Sequence, residues 1–174
     1  MHKFARRSTQ PSGLSLELRV DRGVEAWSDR FMNFLGVTVD DVSGRNITVS
    51  APGLVPVTVE LAQPSALGKG ASLTLGVRPE TISIVTDASQ GGAIEGDVRL
   101  VEHLGRETIL YVDAGNMRTI ASESGTGHIT VQLSYVAPFA AEQKVALKLD
   151  ASELYLFSSE GGRTISARKT ILDR

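Results

Sequence analysis

The stretch VRLVEHLGRETILYV, at Val98–Val112, has two apolar runs on either side of a polar centre. In that centre, Gly105 and Arg106 are typical of a tight reversal between two antiparallel strands. The stretch therefore predicts a β-hairpin, with its strands at Ile94–Leu104 and Thr108–Val112.

The charged residues of this stretch raise the question of a catalytic site. Glu102 and Glu107 flank the reversal, and His103 lies next to Glu102. A general base needs an oriented partner and a nucleophile within reach, and the sequence indicates neither. We interpret the charges as the solvated end of the hairpin, and His103 as a half-buried strand residue.

Apolar and polar residues also alternate outside the hairpin. In Val55–Leu61 every second residue is apolar, which is typical of a strand with one buried face, and Pro56 on the other face indicates a sheet edge. Comparable runs predict strands at Leu35–Val39, Ile47–Val49, Ser72–Val77, Thr81–Val85, Met117–Ala121, Ile129–Val136, Val145–Leu149 and Leu154–Phe157. Turn residues separate the runs, so the sequence predicts an all-β barrel or sandwich of short antiparallel strands. The strands before and after Gly91-Gly92 could form two halves of it.

The N-terminal part follows a different period. Val24, Trp27, Phe31 and Phe34 are spaced by three or four residues, which would place them on one face of a short helix over Val24–Phe34. Burial of each large apolar side chain contributes roughly 1.5–3 kcal/mol, so the stripe should fold back onto the barrel or pair with a second chain. We predict a homodimer in which these four residues contribute to self-association.

The composition argues against several classes of protein. The chain has 174 residues, of which 41% are apolar and 22% charged, as in folded globular domains. It contains no cysteine, which excludes disulfides and cysteine-ligated metals. The net charge of −2 and the few aromatic residues argue against nucleic-acid binding. Without a secretory signal or an apolar run of about 20 residues, the expected location is the cytoplasm, without direct membrane insertion.

Motifs for catalysis or phosphate binding are missing. No G-x-S-x-G sequence occurs, and a phosphate-binding loop around Gly68-Lys69-Gly70 would need a glycine in place of Gln63 and a hydroxyl residue in place of Gly70. Arg78 and Glu80 flank Pro79 and are interpreted as a surface ion pair that braces a turn. We predict no catalytic, cofactor-binding or metal-binding residue.

Four stretches, in a fixed order and at fitting intervals, resemble one known family. They are MNFLGVTV at Met32–Val39, LGVRPETI at Leu75–Ile82, IEGDVRLVEHLGRETILYV at Ile94–Val112 and LYLFSSEGGRTI at Leu154–Ile165. Together they resemble the C-terminal regulatory region, the transport-associated OB (TOBE) domain, of ATP-binding subunits of sugar-type ABC importers of the maltose and glycerol-3-phosphate group. The resemblance implies an OB-like β-barrel.

The resemblance also implies roles for residues and segments. The matching family-motif positions, which it implies to be structural, are Asn33, Arg78, Pro79, Glu80, Glu102, Gly105, Glu107 and Thr108. Residues 1–31 correspond to a partly helical remnant of the ATPase-domain end or linker, 32–160 to the regulatory domain, and 161–174 to a mobile tail. The Walker A, signature and Walker B motifs of the family do not occur in this sequence, so the resemblance implies a chain that is not an enzyme by itself.

In function, the resemblance implies the regulatory and dimerisation domain of a carbohydrate importer's ATP-binding subunit. Its partners in a full transporter would be the ATPase domain, the membrane permease subunits and, in some relatives, a regulatory protein; the location would be peripheral to the inner membrane. An alternative is a small-oxyanion-binding barrel of the molybdate-binding type. The loops at Ser43-Gly44 or Ser122–Gly127 would then hold the anion through backbone amides.

Overall fold

The computed structural model describes residues 32–64, 66–117, 119–120, 126–158 and 165–166. Among them are ten strands: β1 (Asn33–Ser43), β2 (Asn46–Ala51), β3 (Leu54–Glu60), β4 (Ser72–Val77), β5 (Ile82–Val85), β6 (Ala93–Leu104), β7 (Glu107–Asp113), β8 (Ile129–Leu133), β9 (Lys144–Leu149) and β10 (Tyr155–Ser158). Two single 3₁₀ turns, at Pro79–Thr81 and Ala151–Glu153, complete the regular structure of these ranges. Every pairing between the ten strands is antiparallel.

The strands form one curled sheet around an apolar core. Its order is β10-β4-β1-β2-β3-β6-β7-β8, and β9 pairs with both β5 and β6. Alternate residues point inward: in β7, for example, Thr108, Leu110 and Val112 are fully buried, whereas their neighbours are partly exposed. The predicted all-β class is confirmed, and the architecture is consistent with an OB-like fold.

The short N-terminal helix predicted over Val24–Phe34 is wrong at the end that the structure describes. Phe34 lies in β1, opposite Gly76 of β4, and no α-helix occurs within the described ranges. The spacing of three or four residues stops here because strict alternation begins, with every second residue from Leu35 to Val39 buried. Residues 24–31, with the rest of the predicted stripe, lie outside the described residues.

The segment after β7 also differs from its prediction. The sequence predicts a strand over Met117–Ala121, but among its described residues (117, 119 and 120) Met117 and Thr119 make only single bridges, to Ala114 and Leu35. The chain turns at Gly115, whose φ is +63°, and then crosses toward β1. β3 lies between β2 and β6 and is not an edge strand of the sheet, but it pairs with β6 only through Leu54, so Pro56 has no ladder partner on that side.

The two groups of strands on either side of Gly91-Gly92 are interleaved rather than separate. β10 pairs with β4, and β9 pairs with β5. Gly92 connects the groups, since its N–H donates to the carbonyl oxygen of Val55 and its own carbonyl accepts from the N–H of Leu149, both at 2.9 Å. This one residue therefore links β3 to β9.

Two residues close to the C-terminus belong to the packed domain. The Ile165 N–H donates to the Leu156 carbonyl at 2.8 Å, and the Ser166 hydroxyl accepts from the Leu156 N–H at 3.1 Å. The Ile165 carbonyl accepts from the Ala62 N–H at 3.0 Å, so this pair covers the free edge of β10 and ties it to the end of β3. These two residues belong to the segment 161–174 that the sequence analysis assigns to a tail, and the other positions of that segment lie outside the described residues.

A β-bulge between Val98 and Leu100 turns Arg99 outward. The Arg99 guanidinium donates to both carboxylate oxygens of Glu142 at 2.7 Å and to Asp113 Oδ2 at 3.2 Å. This network joins the end of β7 to the turn before β9.

The contribution of this network to the stability of the fold should depend on pH. The pKa of Asp113 is held below its usual 3.8 because the backbone N–H of Gly115 donates to its carboxylate and because Arg99 lies beside it. A lowered folded-state pKa stabilises the fold above the unfolded pKa, and this stabilisation is lost as the pH falls through the folded pKa. We expect Asp113→Asn to flatten the dependence of the melting temperature on pH between roughly pH 5 and pH 2. Equal slopes for the variant and the wild-type chain would contradict this.

Candidate functional site

The family-motif residues fall into two groups, one on each side of β8. The first group is Asn33, Arg78, Pro79 and Glu80, and the second is Glu102, Gly105, Glu107 and Thr108. β8 itself contains none of these motif positions. The contacts on the two sides of β8 therefore show which parts of the fold the motif residues connect.

Asn33 closes the sheet on the open side of β8. Its side chain is 3% exposed; Nδ2 donates to the Thr130 carbonyl and Oδ1 accepts from the Thr130 N–H, both at 2.8 Å. Nδ2 also lies 3.4 Å from the carbonyl oxygen of Val77. The amide thus makes the two hydrogen bonds that a neighbouring strand would otherwise make with β8.

Arg78 packs against an aromatic ring instead of pairing with Glu80. Its guanidinium carbon lies 5.5 Å from the centre of the Tyr155 ring, and its Nε is buried without a hydrogen-bond partner. Within the described part of the chain, no ion pair joins Arg78 to Glu80. The reason is the buried Pro79, which starts a 3₁₀ turn that packs on β8 and separates the two charges. The surface ion-pair interpretation is therefore wrong.

The predicted hairpin is confirmed on the other side of β8. Leu104 pairs with Glu107, which leaves Gly105 and Arg106 as a two-residue turn. Gly105 has a φ of +65°, as the first central residue of a type II′ turn requires. The hairpin prediction rested on this glycine, and the structure explains why the position favours it.

The two glutamates of the hairpin form side-chain hydrogen bonds between neighbouring strands on the outer face of the sheet. Glu107 Oε2 accepts from Gln132 Nε2 at 2.9 Å, and Glu102 Oε2 accepts from the Tyr111 hydroxyl at 3.1 Å. His103 is exposed rather than half-buried, with its Nδ1 3.3 Å from the Thr108 hydroxyl. These contacts brace neighbouring strands and offer no pairing of a base with a nucleophile.

Thr108 fixes the segment that follows β8. Its fully buried hydroxyl donates to the Tyr135 carbonyl at 2.9 Å and accepts from the Ala137 N–H at 3.0 Å. The sequence interpretation missed this contact because it extended the strand to Val136, whereas β8 ends at Leu133. Segment 134–137 instead lies at the turn end of the hairpin.

The same end of the domain carries most of the exposed large apolar side chains. Leu100 and Leu104, 49% and 59% exposed, lie on the outer face of β6 on either side of Glu102. Tyr135 and Val136, 55% and 61% exposed, lie in the segment that Thr108 holds. We call Leu100 and Leu104, which project from the same face of β6, the hairpin-end surface. Exposed apolar groups beside an acidic side chain suit a protein contact better than a reaction.

Other kinds of site have little support in the part of the chain that the structure describes. Its His, Asp and Glu side chains form no group of three that could hold a metal ion. Nor does that part contain a helix long and apolar enough to cross a membrane.

The TOBE domain family matches residues 75–157. The maltose/maltodextrin import ATP-binding protein MalK of Vibrio vulnificus (strain YJ016) is 28% identical over 130 residues, which cover 75% of this chain and 32% of that protein. The alpha-glucoside transport ATP-binding protein AglK of Rhizobium meliloti (strain 1021) is 30% identical over 130 residues, 75% of this chain and 33% of that protein. The sn-glycerol-3-phosphate import ATP-binding protein UgpC of Chromohalobacter salexigens is 27% identical over 119 residues, which cover 67% of this chain and 30% of that protein. The chain thus spans about a third of the length of these relatives.

Among solved structures, a similar fold occurs in the cytoplasmic molybdate-binding protein ModG with molybdate bound. The TM-score is 0.53 at 14% sequence identity, and the alignment covers 72% of this chain and 95% of that chain. At this identity the likeness describes the fold alone.

Proposed function

Because residues 75–157 are a TOBE domain of the kind found in sugar ABC importer ATP-binding subunits, we propose that this chain is the regulatory and dimerisation domain of such a subunit. It acts in the cytoplasm beside the permease subunits of a carbohydrate importer. It has no ATPase activity of its own and needs no cofactor.

The observation that carries the proposal is where the motif residues lie. Asn33 and the Arg78–Glu80 turn contact one side of β8, Glu107 contacts the other side, and Thr108 holds the segment that follows β8. These contacts stabilise a scaffold and leave the hairpin-end surface exposed. A scaffold with an open apolar face supports a role in subunit contact rather than in catalysis.

Dimerisation is proposed to occur through the hairpin-end surface. Burial of a leucine side chain contributes roughly 1.5–3 kcal/mol, and Leu100 and Leu104 both project from the same face of β6. Contact between two such surfaces related by a two-fold axis would bury both pairs of leucines. The Phe34 side chain, one of the four residues predicted to contribute to self-association, packs on Phe157 of its own chain.

We expect Leu104→Glu, which adds a charge beside Glu102, to shift the wild-type dimer to a monomer in sedimentation equilibrium. The control is Ile120→Glu, which places the same charge on a side chain that is 64% exposed but lies away from the hairpin. The control should leave the dimer intact. A wild-type chain that stays monomeric at high concentration would contradict dimerisation, as would equal effects of the two variants.

Binding of a small oxyanion is a second candidate, supported by the fold shared with ModG. Gly44 supplies an exposed positive-φ turn after Ser43, while Ser122–Gly125 lies outside the described residues. A melting scan with molybdate, sulfate and phosphate tests it. A rise in melting temperature that grows with anion concentration would favour this function, and an unchanged melting temperature would reject it.

A further inference from the structure

Arg78 carries a positive charge that no carboxylate of the described residues balances. Its Nε is buried without a hydrogen-bond partner, while the residue as a whole is partly exposed. None of the ion pairs within the described ranges includes it. A guanidinium has five N–H donors and stays charged at any ordinary pH, and removing part of it from water without a partner costs free energy. The group therefore fits an anionic partner that binds to this surface.

Tyr155 fixes the direction of the Arg78 side chain. The guanidinium carbon lies 5.5 Å from the centre of the tyrosine ring, within the range of a cation–π contact. The backbone of Arg78 is extended, and the preceding Val77 is fully buried, so the arginine projects from the outer face of the sheet. A guanidinium held on a ring in this way loses less side-chain freedom when it binds a carboxylate through two parallel hydrogen bonds.

An apolar cluster lies on the same outer face, beside Arg78. The rings of Phe34 and Phe157 meet edge to face, with centres 5.8 Å apart. A Cβ at Gly76, two residues before Arg78, would lie 2.7 Å from both the Met32 sulfur and Phe157 Cε2, so these two side chains cover the glycine. We call Met32, Phe34 and Phe157 the outer patch. All three residues are partly exposed, so a further apolar group can pack on them.

The combination of charge and apolar surface defines the chemistry of the partner. A free carboxylate or phosphate gains little at a partly exposed arginine, because water screens the pair. An apolar side chain that packs on the outer patch would exclude water from the neighbouring guanidinium and so strengthen its attraction for a carboxylate. The two groups therefore favour a ligand that carries both features close together.

We propose that Arg78 and the outer patch form a docking site for a protein segment with a large apolar side chain next to an aspartate or glutamate. The carboxylate binds the guanidinium, and the apolar side chain packs on Phe34 and Phe157. The hairpin-end surface takes no part in this contact. The inference goes beyond the proposed function, because it does not depend on the importer assignment.

Nuclear magnetic resonance of the full ¹⁵N-labelled chain tests the proposal with blocked dipeptides as probes. We expect acetyl-Phe-Glu-amide to shift the Gly76 and Phe157 amide signals and the Arg78 Nε–H signal, and the shifts to saturate. Acetyl-Phe-Gln-amide, which lacks the charge, and acetyl-Ala-Glu-amide, which lacks the ring, should need concentrations about tenfold higher for the same shifts. Inorganic phosphate should not shift these signals at the concentration at which acetyl-Phe-Glu-amide saturates them.

Variants of the chain locate the charge that binds the probe. Arg78→Gln should weaken binding of acetyl-Phe-Glu-amide about tenfold, and Arg78→Lys should weaken it as well, because lysine keeps the charge but not the planar donors. The matched control is Arg106→Gln, which removes the same charge from the exposed hairpin turn and should leave binding unchanged. Far-UV circular dichroism establishes that each variant is folded, and Arg78→Lys keeps the test valid if Arg78→Gln does not fold.

Four results would overturn the inference. The first is the lack of a saturable shift with acetyl-Phe-Glu-amide. The second is equal binding of acetyl-Phe-Gln-amide, because the charge would then have no role. The third is an equal response to phosphate, because the site would then hold simple anions instead of a protein segment. The fourth is equal weakening by Arg106→Gln. None of these results depends on Leu104, so this proposal and dimerisation can fail separately.

Discussion

Gly92→Ala is expected to destabilise the domain by about 3–4 kcal/mol, the sum of a backbone cost and a packing cost. Gly92 has a φ of +79°, a conformation that L-residues with a side chain rarely adopt. A Cβ there would lie 2.9 Å from the Leu149 carbonyl oxygen and 3.4 Å from Val57 Cγ2. The first of these atoms belongs to the backbone of β9, so the strand itself would have to move.

The position of Gly92 explains why this movement is costly. Its two backbone hydrogen bonds join β3 to β9, and β3 otherwise meets the neighbouring β6 only at Leu54. A displaced residue 92 would weaken both bonds at the junction of the interleaved strand groups.

Gly70→Ala is the matched control for this prediction. Gly70 has a φ of +87°, and a Cβ there would meet no atom within 4 Å. The control carries the backbone cost without the collision, so we expect a loss of only about 1 kcal/mol. Urea unfolding of both variants measures the difference. Equal losses would show that the crowding at Gly92 has no energetic effect.

The second large effect is expected for Asn33→Ala, at about 2–3 kcal/mol. The substitution removes two hydrogen bonds at 2.8 Å and leaves both the N–H and the carbonyl of Thr130 without their partner. Thr130 is only partly buried, so water can replace part of the loss. We expect the loss of stability to be greatest where β1 contacts β8.

Asn46→Ala provides the comparison, because Asn46 is an exposed asparagine at the start of β2. A loss below about 0.5 kcal/mol is expected there, as for other surface substitutions. Hydrogen exchange of the Thr130 amide localises the effect, since Asn33→Ala should accelerate its exchange and Asn46→Ala should not. Slow exchange of Thr130 in a folded Asn33→Ala variant would mean that the side chain does not close the sheet.

Local sequence patterns predicted much of this fold. Alternation located β3 and β7, Pro56 marked a strand with little pairing on one side, and Gly105 marked the hairpin turn. These features depend on neighbouring residues, whose side-chain directions follow from the period of two in a strand.

The arrangement around β8 could not be predicted in this way. Asn33 and Thr130 are 97 residues apart, and no local period tells which strands will be neighbours. Phe34 was misplaced because its position fits both a helical spacing from Phe31 and the outward phase of an alternating strand. Ser166 looked like part of a polar tail because its burial depends on contacts with Leu156 and Leu61.

The importer assignment is tested most directly by a chimera. Residues 32–166 would replace the matched segment of Vibrio vulnificus MalK, and maltose import would be measured in cells that lack their own ATP-binding subunit. The assignment predicts import well above that of MalK without the segment, with the Leu104→Glu chimera reduced. If the chimera accumulates as MalK does but imports no more maltose than MalK without the segment, the assignment is contradicted.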